Sequence, residues 1–97
     1  MNHKELETIL EFACKVAGCS ISQALGTRRK GYLMTARYLF FRVAVDHGAR
    51  NYEAIWFVRR GTQMGRYYNA KSNKLAISNP VFQEQINKIQ YLYEKSV

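Results

Sequence analysis

Acidic side chains are scarcest where this chain is most basic. Between residues 59 and 74, RRGTQMGRYYNAKSNK holds five lysines and arginines and no aspartate or glutamate. No apolar run approaches the roughly 20 residues of a membrane span. The start, MNHKELETIL, lacks a basic segment followed by a long apolar stretch, so no signal peptide is expected and the expected compartment is the cytoplasm. Proline occurs once, at Pro80, and no stretch alternates apolar and polar residues in a sustained way, which favours helices over strands. Two cysteines, Cys14 and Cys19, are too few for a disulfide scaffold, and the four residues between them do not match a common zinc pair. His3 and His47 are remote from them in sequence. No metal site is expected, and both thiols are expected to be reduced and buried.

What is present is charge, and it is segregated. The net charge is +8. From Arg28 to Lys74 there are eleven basic residues against two acidic ones, Asp46 and Glu53; the rest of the chain holds four against five. All of the excess lies in the middle half, which points to a polyanionic partner more strongly than a basic total does. Hydrophobic content of 47% over 97 residues is enough for one core, so residues 1–97 are read as a single domain.

Periodicity predicts about six helices. KELETILEFACKVAG carries an apolar face and stops at Gly18; Ser20 and Gln23 form a capping box for a short helix ending at Gly26. TRRKG is a basic loop. YLMTARYLFFRVAVDHG is apolar around most of its circumference and belongs in the middle of a bundle, with Arg37 and Arg42 expected on its exposed strip. Asn51 is expected to cap a short helix with Ile55, Trp56 and Val58 buried and Trp56 as a core anchor. Thr62 is expected to cap the helix from Gln63 to Ile77. Asn79 caps the last helix with Pro80 in its first position, and Phe82, Ile86, Ile89 and Tyr93 form its seam.

Two helices joined by a short glycine-containing turn have the pattern of a helix-turn-helix, whose second helix enters the DNA major groove. On a helical wheel Met64, Tyr68 and Leu75 share one side, with Tyr67 beside them, while Arg66, Asn69 and Asn73 fall opposite and Gln63 flanks them. Arginine bonds guanine edges and asparagine or glutamine bonds adenine edges, so the latter set suits base reading. Arg28, Arg29 and Lys30 in the loop, and Arg59, Arg60 and Thr62 in the turn, suit phosphate or minor-groove contacts. Tyr32, Tyr38, Tyr67 and Tyr68 could stack on unpaired bases, although their helical spacing favours core positions. With Asp46 and Glu53 the only acids of the basic half, no two-carboxylate centre is evident. Asp46 beside His47 sits at a helix end, and no phosphate-binding or nucleophile motif is present. The chain is expected to be neither an enzyme nor a cofactor protein.

The order of these elements resembles the C-terminal DNA-binding domain of the bacterial replication initiator DnaA, a member of the Trp-repressor-like helical class, over roughly residues 5 to 77. ARYL, Ala36 to Leu39, is similar to that family's A-M-Y-L, and EAIWFVRRGTQMGRYYNA aligns with its helix-turn-helix at Ile55, Gly61 and Ala70. Gln63, Met64, Gly65 and Arg66 stand where the family has D-H-T-T, and the basic loop is slightly shorter. The resemblance implies an all-α bundle and a DNA-binding surface in the same place, without the family's target sequence. It carries over Arg28, Arg29 and Lys30 as loop contacts, and Gln63 and Arg66 by position. The chain is expected to lack the family's ATPase domain and so not to be an initiator itself. The expected partner is therefore double-stranded DNA, and the expected role a small regulator or replication accessory. The alternatives are a degenerate helix-turn-helix that binds proteins, with a homodimer through the C-terminal helix, and an RNA or single-strand binder.

Overall fold

Asn2 starts the first helix: its side chain accepts the Glu5 amide at 2.8 Å. From there a computed structural model describes residues 1–96 as α1 (His3–Ala17), α2 (Ile21–Leu25), α3 (Gly31–Asp46), α4 (Asn51–Phe57), α5 (Met64–Ser78) and α6 (Pro80–Ser96). No strand occurs among the described residues. The fold is a compact all-α globule, and no described helix is long and apolar enough to cross a membrane.

The caps behave as the sequence predicts in three places. Gly18 adopts φ 85° and ends α1, its N–H donating to the Cys14 carbonyl. Ser20 and Gln23 exchange hydrogen bonds of 3.1 and 2.9 Å at the start of α2. Asn79 accepts the amides of Val81 and Phe82, with Pro80 opening α6.

Helix α3 touches all five other helices, and every residue from Ala36 to Ala44 is buried. The expected exposed strip does not exist, which corrects the placement of Arg37 and Arg42. Both are buried, and both survive there because their donors are satisfied. The Arg37 guanidinium donates to the carbonyls of Ala24 at 2.8 Å and Gly26 at 3.0 Å, capping the negative end of α2. Arg42 pairs with Asp46 at 3.0 Å and donates to Asn69, Ser72 and Asn73 of α5.

Other expectations also change. Trp56 is not a core anchor; it is 58% exposed, and Ala54 and Ile55 supply the buried side of α4, with Val58 buried at its C-cap. Asn51 is the first residue of α4 rather than its cap. The cap position is Arg50, whose N–H donates to Glu53 at 2.8 Å, and that bond holds the Glu53 carboxyl below its ordinary range. Thr62 does not cap α5, because its hydroxyl accepts the Trp56 indole N–H at 2.9 Å. Cys14 is buried and its thiol is pushed up to about 12, first by burial and then by Cys19, which is itself only half-buried. The α6 seam of Phe82, Ile86, Ile89 and Tyr93 packs inside the domain, and the Tyr93 hydroxyl donates to Glu5 at 3.1 Å. All four seam residues are buried within the domain.

Candidate nucleic-acid interface

The turn between α4 and α5 is built without glycine at its critical position. Arg59 takes φ 59°, the left-handed conformation that usually falls to glycine after a helix. Its N–H donates to Trp56 and that of Arg60 to Ile55, at 2.9 and 3.0 Å, which satisfies the last carbonyls of α4. The chain then reverses, and α5 begins against α4. A Cβ on Gly65 would lie 3.8 Å from Asn51 and 3.9 Å from Ile55, so the close approach at this glycine is between the two helices.

A second basic element is joined to this turn by one atom. The Gly26 carbonyl, at the entrance to the Thr27–Lys30 loop, accepts from Arg60 at 2.7 Å and from Arg37 at 3.0 Å. Arg60 also donates to the Val58 carbonyl at 3.1 Å, so its side chain spans from its own turn to the loop. Residues 34 positions apart are thereby locked together.

Between loop, α3 and α5 lies a cleft of about 540 Å³. Thr27 and Arg29 come from the loop, Met34, Arg37 and Tyr38 from α3, and Arg60, Met64, Tyr67 and Tyr68 from the turn and α5. No carboxylate lines it. The Arg37 pKa is lowered, chiefly by burial and then by the neighbouring Arg60 charge, with Arg29 adding a smaller push. Tyr38 is raised by burial and by the Tyr67 hydroxyl beside it. The rings of Tyr38 and Tyr68 pack 4.9 Å apart, and Tyr67 meets Tyr68 at 6.3 Å.

No family model, curated protein or solved structure matches this chain. The candidate site rests on its own geometry.

That geometry sorts the expected residues. Arg28, Arg29 and Lys30 are exposed. Arg29 turns to the cleft, while Arg28 lines a neighbouring hollow with Tyr32. Arg60 belongs to the cleft but is half-buried, with its donors bonded to carbonyls. Arg59 lines a different hollow with His3, Glu7, Glu53 and Trp56, so the two arginines of the turn diverge. Arg66 is exposed on α5; Gln63 is exposed at the N-cap position, one residue before the helix, with its side chain lying against Gly61. Asn69 is not outward: it is half-buried and accepts from Arg42 at 3.1 Å, while Asn73 is exposed and accepts from Arg42 at 2.8 Å. Tyr67, expected beside the apolar side, is 53% exposed. The inward line of α5 runs through Gly65, Tyr68 and Ser72, because α4 and the buried Arg42 sit beneath it. A wheel centred on large apolar residues misses this rotation. It also misses Gly26 and Arg37, which no spacing marks as parts of the site.

Of the eleven basic residues between Arg28 and Lys74, Arg42 alone has a carboxylate within ion-pair distance among the described residues. The cleft between the loop and α5 is lined by three arginines and three tyrosines, with no carboxylate.

Proposed function

We propose that this chain is a non-catalytic, cytoplasmic domain that binds double-stranded DNA. The α4–turn–α5 unit acts as a helix-turn-helix, with Gln63 and Arg66 at the base edges and Asn73 available through its amide N–H groups. Arg28, Arg29 and Lys30 hold the adjacent backbone or minor groove, and Arg60 fixes the loop to the reading helix. Asn69 serves this surface indirectly, by steadying α5 on Arg42. The reading follows the resemblance to the DnaA C-terminal, Trp-repressor-like class, with a different target and a role as a small regulator or replication accessory.

The observation that carries the reading is the shared Gly26 carbonyl, which joins the entrance of the basic loop to the turn that precedes α5. Such a surface gains affinity from counterion release, so binding must fall steeply with salt. The test is fluorescence anisotropy with sites selected from a random duplex library. Arg66→Ala is expected to cost about 1–3 kcal/mol and to relax sequence preference. Duplex affinity that ignores both salt and Arg66→Ala would refute the assignment.

A further inference from the structure

We propose that the cleft between the loop and α5 is a binding site for a single nucleotide, its base against Tyr67 and its phosphate on Arg29. The cleft volume, about 540 Å³, falls within the roughly 300–1,000 Å³ of small-ligand sites. Its walls and its charge select different halves of one ligand. Met34 and Met64 are flexible, polarizable side chains that adapt to a flat ring. Tyr38 and Tyr68, 7% and 1% exposed, make a fixed aromatic floor, whereas Tyr67 leaves half of its surface in water beside them. An aromatic ring held open next to cations is a stacking platform.

The three guanidiniums divide two tasks. Arg37 and Arg60 commit donors to the Gly26 carbonyl and so hold their charge in place. Arg29 is the exposed one and can close on an anion. With no carboxylate in the lining, a phosphate enters without repulsion. A neutral base alone forgoes the field, and a bare phosphate forgoes the aromatic walls. A nucleoside monophosphate uses both. The same chemistry is offered by a free nucleotide and by an unpaired nucleotide at the end of a bound strand, and the second source rests on the DNA-binding reading above.

Titration of the ¹⁵N-labelled protein with adenosine 5′-monophosphate, and separately with adenosine, tests the site. Saturable amide shifts at residues 27–29 and 64–68 are expected, with adenosine about ten-fold weaker. Tyr67→Ala and Arg29→Ala, both at exposed positions, are each expected to weaken the monophosphate about ten-fold while circular dichroism reports an intact fold. A blunt duplex is then compared with the same duplex bearing one unpaired adenosine nucleotide. A preference for the unpaired end that Tyr67→Ala abolishes assigns the strand end as the source. Monophosphate binding with equal affinity for both duplexes assigns the free nucleotide. The absence of saturable shifts at the cleft up to about 10 mM monophosphate, or an unchanged affinity in both variants, overturns the proposal. Blunt-duplex affinity is read separately, so failure of the cleft and failure of duplex binding are told apart.

Discussion

Arg37 of the buried central helix and Arg60 of the α4–α5 turn donate to the same acceptor, the Gly26 carbonyl, at 3.0 and 2.7 Å. Two like charges converge on one oxygen because that oxygen belongs to the carbonyl-rich end of α2, where positive charge is favoured. The pair joins the basic loop to the core and to the turn. Arg37→Met is expected to lower stability by about 1–3 kcal/mol, since it strands the Ala24 carbonyl while Gly26 keeps its bond from Arg60. Arg60→Ala, at a half-buried site, is expected to cost about 1 kcal/mol. Their shared acceptor makes the double variant non-additive by about 0.5 kcal/mol or more, which urea denaturation of all four proteins measures. Strict additivity would show that the two bonds do not act as one joint.

Arg42 ties α3 to α5 through Asn69, Ser72 and Asn73. Asn69→Ala therefore acts on stability first. A loss of about 1 kcal/mol in thermal or urea unfolding is expected, with a smaller change in duplex affinity than Arg66→Ala produces. A variant that keeps its stability but loses binding would return Asn69 to the base-reading set.

The helices themselves were legible because their signals are local. The Ser20–Gln23 box, Gly18, and Asn79 before Pro80 fix their ends within a few residues, and α3 declares its central place by being apolar around most of its circumference. What stayed hidden depends on long-range partners. Nothing near Arg37 or Arg42 in sequence says that a carbonyl cluster or an asparagine pair will receive it, so both were expected in water. Trp56 looks like core by type, and only the course of the turn leaves its ring outside with its N–H on Thr62. The rotation of α5 follows from Gly65 and Ser72, small residues that carry no hydrophobic signal. The positive field was readable from charge segregation alone, but its splitting, with Arg29 and Arg60 on one hollow and Arg59 on another, was not.

Gly65 sits inside the first turn of α5, and a methyl group added there would meet Asn51 and Ile55 at 3.8 and 3.9 Å, ordinary contact distances. Its backbone does not need the left-handed region, so alanine fits. Gly65→Ala is expected to raise stability by about 0.5–1 kcal/mol through helix propensity. A drop in the unfolding midpoint would mean that α4 and α5 pack closer than these distances allow.

The pH dependence has two arms with opposite signs. Burial raises the Cys14 pKa from 9.0 to about 12, and burial likewise raises Tyr93, helped by Glu5. For Cys14 the unfolded chain loses its proton first, so its stabilisation is whole below pH 9.0 and is lost as pH climbs toward about 12. Glu53 runs the other way: its lowered pKa gives stability above the ordinary carboxyl range that fades as pH falls through the folded value. Stability measured across alkaline pH is expected to decline less steeply in Cys14→Ala, and native Cys19 is expected to alkylate faster than Cys14. Equal labelling of the two thiols would contradict the burial of Cys14.

The divergence of the turn's cations gives the sharpest contrast for the duplex surface. Arg29 faces the cleft between loop and α5, whereas Arg59 faces a hollow that also holds Glu7 and Glu53. A phosphate approaching Arg59 meets carboxylates; one approaching Arg29 meets Arg37 and Arg60. Arg29→Ala is expected to weaken duplex binding for all sequences and to reduce the salt slope by about 1, the loss of one phosphate contact. Arg59→Ala is expected to leave that slope nearly unchanged. Because Arg59 holds a left-handed backbone conformation, Arg59→Gly is the better companion variant: it removes the same charge and relieves the strain. Salt titrations of Arg29→Ala and Arg59→Gly then report charge placement alone. Equal slopes in the two would mean that DNA lies across the whole turn, and an effect of Arg59→Gly alone would move the interface to the α1–α4 side.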